Sequence, residues 1–480
     1  MHDVSDLGRT SDWTQIRVGV VGFGLAGFAA ADALLQMDAQ IIVIDGAPRE
    51  KYAEKAQLLE ILGASFQFDD DVTLPENLDL LVLSPGVSPN ATIVQAAQSA
   101  DLPIWGELEL AWRLRDLDTA APWLAITGTN GKTTTTRMLE SILAEKFGAE
   151  NVRAAGNIGL PMCEVVMDPT PLAAIAVEVG APQLPFVHSV SPVASVCLNL
   201  APDHIDIFGS FEAYRDAKAR IYRNTQIAAI YNEQDIETER MVEHADVVEG
   251  CRAISFSLSI PRSSMVGLVE DILVDRAFLS ERATSALEII ELAELPSNAP
   301  HNVQNALAAI ALARAFDVEP VFIKAGLMNW KSEPHRISHV AQINGVDYVD
   351  DSKATNTHAA FTSIRAFESV VLIAGGLAKG QDFTELVEKS ASRLRGVVLL
   401  GADQEMIAMV LEKHAPEVPV RRVHSTELNA MSSVVALASE LASAGDTVLL
   451  APGCASWDMF RDYAHRGDAF AQAVRELGSS

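Results

Sequence analysis

At 480 residues the chain is about as long as three ordinary domains, and 49% hydrophobic residues supply several buried cores. Lys plus Arg number 36 against 64 Asp plus Glu, a formal charge of −28. That balance argues against a nucleic-acid partner, because a phosphate backbone needs a basic face. Cys163, Cys197, Cys251 and Cys454 are scattered with no C-x-x-C pair, which argues against a disulfide framework and a zinc site and reads as reduced thiols of a cytoplasmic protein.

The polar, acidic start does not fit a signal peptide. The most apolar run, Val18–Ala31, stops at Asp32 and is too short to span a bilayer, so a soluble protein is expected without membrane insertion. It splits instead into a strand (Arg17–Val21), the turn Gly22-Phe-Gly24-Leu-Ala-Gly27, and a helix to Met37. A strand Gln40–Ile44 follows and ends in Asp45. This is G-x-G-x-x-G with an acidic residue about 20 positions on, the pattern of a βαβ unit that holds a dinucleotide phosphate. A glycine-packed unit without ligand is the alternative. Further strands are expected at Leu78–Leu83 and Leu102–Ile104, and Arg115–Pro122 reads as a linker. The first domain is taken as residues 1–117.

The stretch Leu124–Thr136, LAITGTNGKTTTT, opens a second domain, 118–331. A buried strand, Trp123–Ile126, runs into Gly128-Thr-Asn-Gly-Lys-Thr133, and a helix follows with Met138, Leu139, Ile142 and Leu143 at helical spacing. These are the parts of a phosphate cradle: backbone N–H groups, a helix N-terminus, the Lys132 charge and the Thr133 hydroxyl for Mg²⁺. The general G-x-x-x-x-G-K-[ST] pattern would place glycine at Ile126, so only its G-K-T end fits. Apolar runs at Leu172–Val179 and Val193–Leu200 read as parallel strands buried on both faces. Arg215–Tyr222 reads as helix, Gln226–Tyr231 as strand, residues 245–300 as a peripheral sheet, and Asn302–Phe316 as helix. A third α/β domain, 332–480, alternates helices with strands at Val346–Val349, Val370–Ala374, Gly396–Leu400 and Thr447–Ala451.

Polar clusters follow several of these strands. Glu178 ends one, a position from which α/β folds present functional side chains. Asn199–Asp206 carries His204 beside Asp203 and Asp206, which could ligate a metal. Asp350–Asn356 mixes carboxylates with a lysine, and Gly375–Gly380 offers a turn with Lys379.

Together these segments resemble the Mur ligases, over nearly the whole chain. The most specific are GTNGKTT at 128–134, GNIG at 156–159, DH at 203–204 and YRDAKARIY at 214–222. HNVQNALAA at 301–309, PHR at 334–336, DDSKATN at 350–356 and APGCASWDMF at 451–460 complete the set. The last resembles the D-glutamate-adding members more than their siblings. Folylpolyglutamate synthetases share GTNGK but lack that segment and the Gly22–Gly27 domain.

The resemblance implies three α/β domains: a Rossmann-like sheet binding UDP rather than a redox dinucleotide, a central P-loop ATPase-type sheet, and a Rossmann-like C-terminal domain for the amino acid. It implies ATP-driven amide formation between UDP-N-acetylmuramoyl-L-alanine and D-glutamate through an acyl phosphate, by a monomer in cytoplasmic peptidoglycan precursor synthesis. Lys132, Glu178, His204 and Lys218 would be catalytic. Gly128, Thr129, Asn130, Gly131, Thr133, Thr134, Asn302, Arg336, Asp351 and Lys353 would join Lys132 in binding ATP. Two Mg²⁺ sites are implied, using Thr133, Glu178, His204 and a carbamylated Lys218. Gly24, Leu25, Ala26, Asp45, Gly86, Asn157, Gln183 and His204 would bind the UDP substrate. Thr355, Lys379, Ser456 and Tyr463 would bind D-glutamate, Tyr463 standing where phenylalanine is common.

One departure matters. Where the family has Glu-x-Ser-Ser-Phe-Gln-Leu, this chain has Glu178-Val-Gly-Ala-Pro-Gln-Leu184, so two hydroxyls and a ring are gone from the expected substrate contacts. Three other readings stay open. A sibling amide ligase would take a different acceptor, a nucleotide sensor would have no use for Glu178, His204 and Lys218 together, and a dehydrogenase would bind NAD. Without the resemblance, Lys218 would read as an exposed helix lysine paired with Asp216 or Glu212.

Overall fold

The computed structural model describes residues 2–69, 72–331, 334–424 and 430–478. The expected start of the third domain, Ser332, lies outside them. The chain folds into two compact units, Met1–Leu200 with Ile207–Trp330, and Ala201–Asp206 with Lys331–Ser480.

The first unit holds two sheets. One contains β1 (Arg17–Val21), β2 (Gln40–Ile44), β3 (Ser65–Gln67), β4 (Leu80–Leu83) and β5 (Ile104–Gly106), all parallel in the order β3-β2-β1-β4-β5. The reversal of order at β1 opens a crevice at the strands' carboxyl ends, where Gly22–Ala26 lies. β4 is buried throughout, as a strand covered by helices on both faces should be. β5 starts at Ile104 rather than Leu102, because Leu102 caps the preceding helix through its N–H bond to Ala97 O at 2.9 Å. β3, not expected from the sequence, is a three-residue edge strand with no alternating pattern to detect.

The second sheet comprises β6 (Trp123–Thr127), β7 (Val152–Gly156), β8 (Ala174–Glu178), β9 (Ala194–Cys197), β10 (Ala228–Asn232), β11 (Arg252–Phe256), β12 (Met265–Val269), β13 (Ile272–Asp275) and β14 (Leu287–Glu291). Its order is β14-β13-β12-β11-β10-β9-β6-β8-β7. Residues 245–300 therefore do not form a separate peripheral sheet. β11 pairs parallel with β10 and carries the main sheet onward, and the hairpin β12–β13 turns it antiparallel through Glu270-Asp271, with Glu270 at φ +53°. The helix Pro300–Ala315 packs on this sheet with eleven buried residues, too many for a single amphipathic stripe and the mark of an enclosed helix. One apolar core joins the two sheets, with Trp112 edge-on to Trp123 at 5.0 Å.

The second unit's sheet contains β15 (Ser338–Ile343), β16 (Val346–Asp350), β17 (Val370–Gly375), β18 (Leu394–Leu400), β19 (Val420–Arg422) and β20 (Thr447–Leu450), in the order β15-β16-β20-β17-β18-β19. Only β15 is antiparallel to its neighbour. No described helix is long and apolar enough to cross a membrane.

Candidate active site

β6 is buried at all five positions and feeds the loop Gly128–Gly131 into the helix Lys132–Phe147. Gly131 sits at φ +84°, and a Cβ there would lie 2.4 Å from Asn305 Oδ1, so the turn requires glycine. The helix's first turn carries no acidic residue, and Thr133 and Thr134 in it are buried. Its N–H groups and positive dipole end favour an anion. Lys132 Nζ rests on the loop carbonyls of Gly128 and Thr129 at 2.8 and 3.0 Å, holding its charge over the turn.

Asn199 clamps this loop. Its Oδ1 accepts from Asn130 N at 2.9 Å, its Nδ2 donates to Asn130 O at 3.1 Å, and its carbonyl accepts from Thr129 N at 3.0 Å. The sequence singles out Asn199–Asp206 for its histidine and gives no sign of this role. It likewise points to Asn302, which donates to Ser297 Oγ at 2.9 Å, and not to Asn305, which meets the loop. Both asparagines lie in HNVQN, so spacing alone offers no choice between them.

Glu178 ends β8 opposite Ile126 of β6 in the sheet register, beside the strand that feeds the loop. It is 2% exposed. Its Oε1 accepts from Asn157 Nδ2 at 3.1 Å, while its buried Oε2 has no hydrogen-bond partner. A buried carboxylate oxygen left open is costly unless a cation completes it, so the site fits a hard divalent ion. Among the described residues no ready-made group of three His, Cys, Asp or Glu side chains accompanies it. Gly156 at φ +102° lets the Asn157 loop approach, since a Cβ there would stand 2.4 Å from Glu178 O. In the Val179–Pro182 departure, the Gly180 N–H is already taken by Gln183 Oε1 at 2.7 Å, leaving the buried Gln183 Nε2 open.

Lys218, on the helix Phe211–Ala219, is 1% exposed. The exposed lysine paired with Asp216 or Glu212 is therefore ruled out; Asp216 takes Arg215 instead. Lys218 Nζ donates to Gly128 O at 2.9 Å and to Thr127 Oγ1 at 3.3 Å, with the Tyr214 ring centroid 5.0 Å away. Tyr214 OH in turn lies 3.0 Å from Thr129 Oγ1. The lysine thus sits at the root of the phosphate loop.

A cleft of about 740 Å³ opens at the first sheet's crevice. Gly24, Leu25, Ala26, Asp45, Gly86 and Asn157 all line it, six of the eight residues expected for the UDP substrate; Gln183 and His204 do not. Asp45 spends its carboxylate on loop N–H groups, from Phe23 at 2.6 Å and Ala47 at 2.8 Å, so it shapes the turn as well as facing the cleft. Lys51 and Ser84 line the cleft too, outside the residues expected for the substrate; Ser84 Oγ donates to Gly22 O at 2.7 Å.

His204 clusters with the second unit, at φ +53°, its ring 3.8 Å from the Asp203 carboxylate. In the same unit burial raises the Asp351 carboxyl to about 7, against a hydrogen bond from Ser363 and the charge of Arg336. Lys353 Nζ lies 3.6 Å from the Tyr463 ring centroid, and Lys379 Nζ 4.2 Å from that of Trp457. Ser456 is buried and Thr355 half-buried on neighbouring loops.

Residues 16–106 match the Mur ligase MurD-like N-terminal domain, 126–313 the Mur ligase middle domain, and 335–454 the Mur ligase glutamate ligase domain. A UDP-N-acetylmuramoylalanine–D-glutamate ligase of Streptomyces avermitilis is 49% identical over 469 residues, covering 98% of this chain and all of the relative. That of Thermobifida fusca is 48% identical over 464 residues, covering 96% and 98%. In fold the chain is similar to a UDP-N-acetylmuramate-alanine ligase of Thermotoga maritima, with a TM-score of 0.56, 18% identity, and 96% and 100% of the two chains covered. A glycine loop at a helix N-terminus beside an open buried carboxylate, a cleft at the switch point, and these matches along the whole chain agree: it belongs to the Mur ligase family.

Proposed function

We infer that the chain is an ATP-dependent ligase that joins D-glutamate to UDP-N-acetylmuramoyl-L-alanine in peptidoglycan precursor synthesis. The observation that carries the chemistry is the pairing of the Gly128–Thr133 phosphate loop with the open Glu178 Oε2 on the adjoining strand. The identity of the acceptor rests on relatives at 48 and 49% identity.

The substrate's alanyl carboxylate oxygen attacks the γ-phosphorus; the new O–P bond forms as the bond to the ADP oxygen breaks. The amine nitrogen of D-glutamate then attacks the acyl carbon, inorganic phosphate leaves with the C–O electrons, and the amine loses a proton. Both steps gather negative charge, so catalysis here is largely neutralisation and positioning. Lys132 and the N–H groups of the following helix hold the phosphates, together with Thr129, Asn130 and Thr134. Glu178 and Thr133 would hold Mg²⁺, which when bound screens the polyphosphate. Asn302, Arg336, Asp351 and Lys353 keep their proposed roles toward the nucleotide, and Thr355, Lys379, Ser456 and Tyr463 toward D-glutamate. In the 740 Å³ cleft, the Gly24–Ala26 turn at a bare helix N-terminus and the cation of Lys51 suit a nucleoside diphosphate.

Lys218 is proposed to be carbamylated: its neutral amine adds to CO₂, forms an N–C bond and releases a proton, becoming an anionic oxygen donor for a second Mg²⁺. His204 keeps the ligand role that its segment has in the family. The protein is proposed to act as a cytoplasmic monomer. The direct test is whether ADP and phosphate form in equal amounts only when both UDP-N-acetylmuramoyl-L-alanine and D-glutamate are present.

A further inference from the structure

The turn after β17 and the loop after β20 are locked together. Leu377 and Ala455 exchange both N–H···O bonds, each 2.9 Å, and a Cβ on Gly376 would lie 2.2 Å from Ala455 O, so the approach depends on glycine. Two side chains project from this junction. Lys379, at φ +53°, sends its ammonium over the indole of Trp457, 4.2 Å from the ring centroid. Trp457 is 65% exposed, unusual for the largest apolar side chain in a segment whose neighbours Cys454, Ala455 and Ser456 are all buried. Burial therefore does not explain the indole's position. Nearby carboxylates bond backbone amides and not the lysine: Asp403 accepts from Ala378 N at 2.7 Å, Asp458 Oδ2 from Ala402 N at 2.8 Å, its Oδ1 lying buried without a partner, and Asp382 from Thr384 N at 2.8 Å. Among the described residues the Lys379 ammonium makes no hydrogen bond or ion pair.

We propose that Trp457 is a positioning residue for amino-acid capture: its ring face holds the Lys379 ammonium in place while leaving the N–H donors that point away from the ring for a carboxylate of D-glutamate. A carboxylate partner would fix the lysine equally well but would consume those donors and cancel the charge. An aromatic face attracts the cation through its quadrupole but, being neutral, leaves its charge uncancelled and its outward N–H groups open. The inference rests on the assignment of Lys379 to the D-glutamate pocket.

The test is steady-state kinetics of the full chain with Trp457→Leu, Trp457→Phe and Lys379→Ala, varying each substrate in turn. Trp457→Leu should raise KM for D-glutamate about three- to fivefold, the effect of one exposed cation–π contact, with kcat and the other two KM values unchanged. Trp457→Phe, which keeps a ring, should stay within about twofold of wild type. An unchanged KM for D-glutamate in Trp457→Leu overturns the proposal. So does a rise in all three KM values or a lowered melting temperature, which would make Trp457 a structural residue. If Lys379→Ala leaves KM for D-glutamate untouched, the assignment of the pocket itself falls, and the proposal with it.

Discussion

Lys218 Nζ lies 2.9 Å from the carbonyl of Gly128, buried beneath the loop proposed to face the phosphates. A lysine there can serve as a staple for the loop or, carbamylated, as a metal ligand, and the two roles separate experimentally. Lys218→Arg keeps a cation but cannot form the carbamate, and should lose at least about a hundredfold in kcat. The wild-type enzyme in CO₂-free buffer should lose activity and regain it with bicarbonate, and acetate should partly rescue Lys218→Ala. Normal turnover in Lys218→Arg, or indifference to CO₂, would leave only the staple.

The role proposed for Lys132 is charge stabilisation, with no part in a core. Lys132→Ala should lower kcat/KM by about 10²–10³ while the melting temperature stays within about 3 °C. Its two bonds to loop carbonyls, 2.8 and 3.0 Å, account for the small stability loss. Near wild-type turnover would remove Gly128–Thr133 as the ATP phosphate loop.

The Gly180 departure now has a geometry. A Cβ at Gly180 would meet Gln183 Oε1 at 3.2 Å and Asn157 Oδ1 at 3.3 Å, so a serine there must push one of them. Asn157 lines the cleft proposed for the muramoyl substrate and bonds Glu178. Gly180→Ser should therefore raise KM for the muramoyl substrate about three- to tenfold, with KM for ATP within about twofold. The reverse pattern, measured in the same assay, would contradict this arrangement.

Much of the site was legible because it is local. Strand, glycine turn and helix at 123–147 and again at 17–45 each carry their own phosphate-binding logic within one continuous segment. What was not legible is long-range. Asn199 and Asn305 reach the phosphate loop only through the sheet order, and no local pattern distinguishes them from any other asparagine. The burial of Lys218 is equally hidden, since Arg215 and Asp216 beside it are polar and its carbonyl partner lies in a distant segment. Among the strands, β7 escapes detection because Val152 is its one β-branched residue, and β19 because three residues at a sheet edge show no periodicity.

Glu107 predicts a pH effect on stability. Its Oε1 accepts from Cys163 N at 2.6 Å, its Oε2 is buried without a partner, and burial raises its carboxyl from 4.5 to about 7. Because the folded pKa exceeds the unfolded one, its stabilising contribution is full below about 4.5 and is lost as pH rises through about 7. Glu107→Gln cannot ionise, so relative to wild type it should gain stability from pH 5 to pH 8, by an amount of order 3 kcal/mol at most. Denaturant or thermal unfolding of both proteins across that range measures it; a constant difference would mean that Glu107 titrates normally.

The choice of acceptor decides which ligation the enzyme performs. Phosphate release with ATP and UDP-N-acetylmuramoyl-L-alanine, measured as kcat/KM across a panel of amino acids, tests it most directly. D-Glutamate should exceed L-glutamate, D-alanine, L-lysine and diaminopimelate by at least about a hundredfold, because the pocket proposed from Lys379, Ser456 and Thr355 would reject ligands that leave those groups unpaired. Equal activity with diaminopimelate or L-lysine would contradict the account and make the chain a sibling ligase.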